Sequence, residues 1–163
     1  MDLANLSRVL WRERELLDLL LFKLHQQHLL LISGDVEWLP RASQEVQTVL
    51  ERMGEMELER AIEFDHAAMM LGTAPGSSLR TLSAAAPEPW GYLLVEHHAA
   101  FVALASRIQH SADANRDLTQ AAARAAEAVM AGMSGNDASP HAYASSGRPE
   151  VDMRRPVLVD QEI

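Results

Sequence analysis

The first 30 or so residues constrain the fold more than any other part of the chain. Residues 3–32 contain neither glycine nor proline, so nothing in them interrupts a helix. Leucines recur at alternating spacings of three and four, and only Glu13 and Gln27 break the series. This heptad-like pattern predicts one helix about 45 Å long with an apolar seam. The seam consists of Leu3, Leu6, Leu10, Leu17, Leu20, Leu24 and Leu31.

Further apolar residues of this helix lie off the seam, at Leu16, Leu19, Leu21 and Phe22. A helix that is apolar on more than one side must bury each side against something. We therefore expect the first helix to meet two neighbouring helices, or one neighbour and a partner protein.

A Ser-Gly-Asp turn at 33–35 is predicted to end the first helix, with Gly34 in a left-handed conformation and a flanking serine or aspartate capping the next helix. The second helix is predicted over Val36–Leu71, where Pro40 is tolerated near the start. Because the connection is so short, the two helices must be antiparallel neighbours. The predicted apolar stripe of the second helix contains Ala42, Val46, Val49, Leu50 and Met53 and then drifts through Gly54, Leu58, Ile62 and Met69.

After a Gly-rich loop at 72–78 and a possible short helix, Pro87-Glu88-Pro89 opens the third long helix. Its seam alternates spacings of four and three, and His97 on it is expected to be a hydrogen-bonded core residue. The second half of the seam is mostly alanine, which buries less area per residue, so we expect its last turns to be the least firmly held. The seam is Trp90, Leu94, His97, Phe101, Leu104, Ile108, Ser111, Asn115, Leu118, Ala122, Ala125 and Val129.

From Gly132 onward the composition is rich in Ser, Gly, Ala and Pro without apolar periodicity, which is typical of disorder. The chain is therefore predicted to consist of a helical domain at 1–133 and a disordered tail at 134–163. Residues 154–159, RRPVLV, form a small apolar island beside a basic pair. This island is either a short binding element or an idle terminus.

The composition excludes several classes of function. The 163 residues include no cysteine, which removes disulfides, Cys-ligated metals and thiol nucleophiles. A net charge of −9, with Lys23 the only lysine, argues against nucleic acid as the main partner. The N-terminus does not resemble a secretory signal, and the longest apolar patch, Leu16–Leu24, is too short to span a bilayer. We therefore expect a soluble cytoplasmic protein.

Charge is concentrated in residues 36–72, where eight acids accompany three arginines. The ordinary interpretation is a solvated helix face. The alternative is a face that steers a basic partner or repels wrong ones.

No catalytic set can be assembled from the sequence, which contains no phosphate-binding glycine loop, no GxSxG and no HExxH. Glu63 and His66 have the i, i+3 spacing of carboxylate-bridged di-iron bundles, but the second such unit is missing. His25 and His28, spaced alike, are expected to be polar surface residues. We predict no enzyme, no metal and no cofactor, and expect spare apolar surface that binds another helix.

Five blocks of the chain, in order, resemble the FlgN family of flagellar export chaperones in its Ala- and Arg-rich form from high-GC bacteria. The resemblance covers roughly residues 3–133 and lies in the ordered set, since no single block is diagnostic. The blocks are LWRERELLDLLLFKL (10–24), WLPRASQEVQTVLERM (38–53), ELERA (57–61), SLRTLSAAAPEPW (78–90) and ANRDL (114–118).

The resemblance implies an elongated antiparallel bundle of three long helices and a cytoplasmic chaperone of type III flagellar export. Such chaperones bind the hook–filament junction proteins of the FlgK/FlgL class, mask their amphipathic terminal helices and deliver them to the export apparatus. Client binding in the family is attributed to the C-terminal part of the chain. The corresponding candidate residues here are Leu118, Ala122, Ala125, Val129, Met130 and Met133.

Two alternative functions are compatible with the sequence. The first is a structural coiled-coil adaptor that self-associates through the spare apolar surface of the first helix and has no secretion client. The second is a helical-bundle metalloenzyme that uses Glu63 and His66.

Overall fold

The computed structural model describes residues 3–135, with side chains as far as Met133. This part of the chain contains helices and no strand, which confirms the all-α part of the predicted fold class. Three helices are long, at 31, 33 and 46 residues, and one has seven. The helices are α1 (Leu3–Ser33), α2 (Leu39–Leu71), α3 (Leu79–Ala85) and α4 (Trp90–Gly135).

The chain divides after Ala126 into two units, and the helices pack on one another within residues 3–126. The boundary at 133 stays a prediction. The predicted disorder of the tail and the apolar island at 154–159 lie outside the described residues.

The turn between α1 and α2 agrees with the prediction where α1 ends and differs from it where α2 begins. Gly34 is left-handed as expected, with φ of 71°. However, α2 begins at Leu39 rather than Val36, and its N-cap Trp38 makes no side-chain cap. The serine expected as a cap is instead bonded to α1, since Ser33 Oγ donates to the Leu30 carbonyl (3.1 Å). A proline in the first turn suits this start because the N–H it lacks would have no helical partner there.

The long helices run up, down and up. Salt bridges Arg12–Glu59 (2.9 Å) and Lys23–Glu45 (2.7 Å) join α1 to α2 in opposite directions, so the predicted antiparallel pairing is confirmed. Contacts between α1 and α4 instead advance together along both helices. Ser7 meets His97, and Leu24 meets Asn115, so α4 runs parallel to α1.

The first of two apolar clusters joins all four helices near the start of α1. Its packing explains α3, whose Leu82 is wholly buried and whose N-cap Ser78 accepts a hydrogen bond from the Thr81 amide (3.2 Å). Each fully buried leucine contributes about 1.5–3 kcal/mol. The buried members are Leu3, Leu6, Leu10, Ala67, Ala68, Leu82 and Leu94.

A second cluster lies further along α1, where Leu20 and Leu24 pack against Val49 of α2. Half-buried Ile108 and Ala112 of α4 close it from the other side. The first helix therefore meets two neighbours, α2 and α4, as its off-seam leucines predicted.

His97 lies in the core of α4 and is only 1% exposed. Its Nε2 is 3.4 Å from Ser7 Oγ, the Trp11 ring meets it edge-on, and the Phe101 ring stacks on it. The prediction of a hydrogen-bonded core histidine is confirmed. Burial lowers the pKa of His97, the nearby Arg14 cation lowers it further, and Glu96 opposes both.

This pKa shift predicts a pH-dependent stability. In the unfolded chain His97 takes up a proton near its ordinary pKa of about 6.5, whereas the folded chain resists protonation until the pH is lower. The stabilisation is therefore complete above about pH 6.5 and is lost as the pH falls through the lowered folded pKa. One such group contributes at most about 1.4 kcal/mol per pH unit. Urea unfolding of His97→Gln between pH 8 and 5 should show a flatter profile than the native chain.

His98 is the matched control, because it is adjacent but exposed. His98→Gln should keep the native pH profile. An unchanged slope in His97→Gln would show that His97 is not the group responsible.

The apolar stripe predicted for the second half of α2 is wrong. Leu58, Ile62 and Met69 are exposed, while Met56 and Ala67 are buried in their place. The helix keeps the three–four spacing of its first half, and that spacing brings charged residues onto the buried side.

A charged layer explains how this is possible. Arg60 of α2 reaches Glu13, the residue that breaks the seam of α1, with Nη1 3.7 Å from Oε1. Burial raises the pKa of Glu13 even though Arg60 lowers it. The Glu13 Oε2 atom is buried without a hydrogen-bond partner, so the pair is a poorly satisfied interruption between two apolar clusters.

Candidate functional site

A buried polar layer fixes α4 before its C-terminal part begins. Asn115 is 4% exposed, and its Nδ2 donates to the Leu24 carbonyl (2.8 Å) and to Gln27 Oε1 (3.0 Å). His28 Nδ1 donates to Asn115 Oδ1 (2.9 Å), and Gln27 Nε2 donates to Ser43 Oγ of α2 (2.9 Å). The layer therefore links all three long helices. It also fixes how far α4 is shifted along α1, because a buried amide finds its hydrogen-bond partners at only one alignment of the two helices.

The candidate binding residues come directly after this layer. Leu118 is half-buried, and every residue from Thr119 to Ala126 is exposed. Spacings of four and three place Leu118, Ala122 and Ala125 on one face of α4. Alanines bury little area, so this face gains little by packing on the bundle and is left available.

The other three candidates lie on the part of α4 that comes after Ala126. Val129, Met130 and Met133 are 62%, 68% and 72% exposed. Large apolar side chains at such exposure are a feature of binding surfaces, and methionine adapts well to varied partners. All six candidates thus lie on α4, and their role in binding stays a prediction.

Sequence reasoning missed an open groove of about 840 Å³ between α1 and α4. Half-exposed Phe22 lies in it, and Arg107 and His110 of α4 were not singled out from the sequence. The one sequence signal was the off-seam pair Leu21 and Phe22, which predicted a second neighbouring helix on this side of α1. That neighbour is α4, but it covers the pair only in part. The lining is Asp18, Leu21, Phe22, His25 and His28 from α1 and Ser106, Arg107, His110, Ser111 and Ala114 from α4.

The histidines of α1 differ from one another. His25 is exposed, as predicted for a polar surface residue, but His28 is half-buried. The prediction is wrong for His28 because its ring is held by Asn115 of α4, a contact that the sequence of α1 cannot reveal.

The possible metal pair, Glu63 and His66, lies half-buried on α2. The Nδ1 atom of His66 is buried without a hydrogen-bond partner. Within residues 3–133 no three His, Asp or Glu side chains come together in a way that could hold a metal ion. The described part of the chain therefore offers no second ligand set for a di-metal site.

None of the helices between residues 3 and 135 has the length and apolarity needed to cross a membrane.

Comparison with known protein families gives a match over most of the chain. The family model described as "FlgN protein" matches residues 1–150. The match continues past residue 133, where the resemblance of the sequence blocks ends. Neither the curated proteins nor the solved structures give a significant match. FlgN proteins are export chaperones of the flagellum and not enzymes. The chain belongs to the FlgN family of flagellar export chaperones.

Proposed function

We propose that this protein acts in the cytoplasm as the export chaperone of hook–filament junction proteins of the FlgK/FlgL class. It binds their amphipathic terminal helices, keeps them from associating prematurely and delivers them to the flagellar export apparatus. The observation that carries the proposal is the exposed face of α4 that begins after the Asn115 layer.

The chemistry of that face suits a helical client. An amphipathic helix lays its apolar stripe against a complementary apolar surface, and small side chains such as Ala122 and Ala125 let its backbone approach closely. In the unit after Ala126, Val129, Met130 and Met133 are large apolar side chains at high exposure. Masking of this kind needs reversible burial only, so it requires neither a nucleotide nor covalent chemistry.

The test is a calorimetric titration of the full chain with a peptide of a junction protein's terminal helix. The double variant Ala122→Glu, Ala125→Glu should weaken binding at least tenfold, because two charges would have to be buried in an apolar contact. Both positions are exposed, so circular dichroism should show an unchanged fold and thermal midpoint.

A second double variant controls for the added negative charge. Gln120→Glu, Ala123→Glu has the same i, i+3 spacing on the opposite side of α4, and both positions are exposed. It should bind the peptide as the native chain does. Unchanged affinity in the Ala122/Ala125 variant, together with loss of binding in Phe22→Ser, would instead place the client in the groove between α1 and α4.

The coiled-coil adaptor remains the rival function. It requires self-association, which multi-angle light scattering measures directly. A tight dimer that binds no junction peptide would favour the adaptor over the chaperone.

A further inference from the structure

The outward side of α2 carries an apolar stripe that the fold does not use. We define the outer stripe as Leu50, Gly54, Leu58 and Ile62, which succeed one another at spacings of four along about 18 Å of helix. The three large side chains are 45%, 71% and 46% exposed. The core side of α2 is marked by Val49 and Met56, which are seven residues apart and buried. Leu58 and Ile62 lie on the opposite side of the helix and point away from the core.

Gly54 stands in the middle of the outer stripe and borders the cavity beside Glu13 and Arg60, but no close contact in the fold requires a glycine there. A Cβ added there would meet nothing within 4 Å, and its φ is not positive, unlike that of the turn glycines. Glycine inside a helix is destabilising relative to alanine. What a glycine provides on an exposed helix face is close approach by another backbone, and the described part of the chain supplies no such backbone.

The charge around the outer stripe has one sign. Exposed Glu51 and Asp65 lie on this side of α2 by helical spacing. Each accepts one neutral hydrogen bond, Glu51 from Gln47 and Asp65 from the Gly76 amide, but neither takes part in a salt bridge among the described residues. The arginines of α2 lie elsewhere. Arg41 pairs with Glu45, Arg60 turns toward Glu13, and Arg52 lies beside Arg12 and Glu15 of α1. The stripe is therefore apolar at its centre and acidic at its margins.

We propose that the outer stripe of α2 docks a basic amphipathic helix of a second protein, which crosses at Gly54 and sets Lys or Arg over Glu51 and Asp65. This surface is separate from the α4 face and goes beyond client binding. A second copy of this chain fits poorly, because a two-fold contact would set the acids of one stripe against those of the other.

The test uses two synthetic 20-residue helices with the same Leu/Ala stripe, one flanked by lysines and one by glutamates. Fluorescence anisotropy against the full chain should give at least tenfold tighter binding of the lysine-flanked helix, and that binding should weaken with added salt. Leu58→Gln, Ile62→Gln should lose the preference. Val95→Gln, Val102→Gln, a matched exposed pair on α4, should keep it.

Gly54→Ala separates docking from stability. The added methyl group meets nothing in the fold, so the thermal midpoint should rise, while affinity for the lysine-flanked helix should fall at least threefold. Equal binding of the two peptides, or unchanged binding by Gly54→Ala, would overturn the proposal. A dimer abolished by Leu58→Gln, Ile62→Gln would also overturn it and make the stripe a self-interface.

The two proposals fail independently. Ala122→Glu, Ala125→Glu should leave binding of the lysine-flanked helix intact, and the α2 variants should leave the junction peptide bound to α4.

Discussion

Asn115→Ala should lower the free energy of unfolding by about 2–4 kcal/mol. The substitution removes two hydrogen bonds donated to Leu24 and Gln27 and one accepted from His28. The cost is larger than that of an ordinary hydrogen bond because the side chain is buried, and its former partners would be left without a hydrogen bond where water cannot replace it. Urea unfolding followed by circular dichroism measures the change.

Gln109→Ala is the matched control on the same helix. Its amide bonds only to Asp113 one turn along α4 at an exposed position, so its loss should change stability by no more than about 0.5 kcal/mol. If Asn115→Ala proved as mild as this control, the polar layer would not be holding α4 to α1. The hydrogen bonds of Asn115 would then not be what positions the face of α4 that begins at Leu118.

Replacing both members of the Glu13–Arg60 pair with leucine should raise the free energy of unfolding by about 1–2 kcal/mol. Burial raises the pKa of Glu13, so the site disfavours its charge even with Arg60 beside it. Two leucines would continue both helical seams through this layer. Arg60→Leu alone should instead destabilise by about 1–3 kcal/mol, because the carboxylate would stay buried without its cation.

The more exposed pair Arg12–Glu59 tests whether burial of the pair or the distance between its charged atoms governs the change in stability. Its atoms are closer, at 2.9 Å against 3.7 Å, but both side chains are about half exposed. The double leucine variant of Arg12 and Glu59 should therefore change stability by less than about 1 kcal/mol. A loss of stability in the Glu13/Arg60 double variant would show that the charged layer stabilises the bundle.

The three long helices could be predicted from the sequence because their local signals agree. Residues 3–32 lack helix breakers, Gly34 and Gly72 stand where left-handed residues end helices, and Pro87 and Pro89 precede α4. These signals act within a few residues, so no tertiary contact was needed to interpret them.

The buried face of α2 could not be predicted in the same way. Apolarity favoured Leu58 and Ile62, whereas the buried side carries Arg60, which makes sense only beside Glu13 from a helix 47 positions earlier in the sequence. A charged residue at a seam position is expensive alone and tolerable when paired. The pair is a property of two helices together, which a pattern within one of them cannot contain.

For the candidate site, the sequence marked the alanine-rich end of α4 as weakly held, and the exposure of residues 119–126 agrees with that expectation. It did not anticipate the groove between α1 and α4 or the hydrogen bond of His28 to Asn115. Both arise from the parallel alignment of two helices separated by about 90 residues.

Local patterns were thus sufficient to locate the long helices to within a few residues, to show that α1 needs two neighbours, and to show that the seam of α4 turns to alanine after Leu118. These are consequences of local propensity and of the volume of each side chain. Which side of α2 faces the core depends on how α1 and α2 pack together, because that choice balances one half-buried ion pair against apolar residues left in water. As a result Leu50, Leu58 and Ile62 are exposed around Gly54, on a surface that takes no part in the packing of the core.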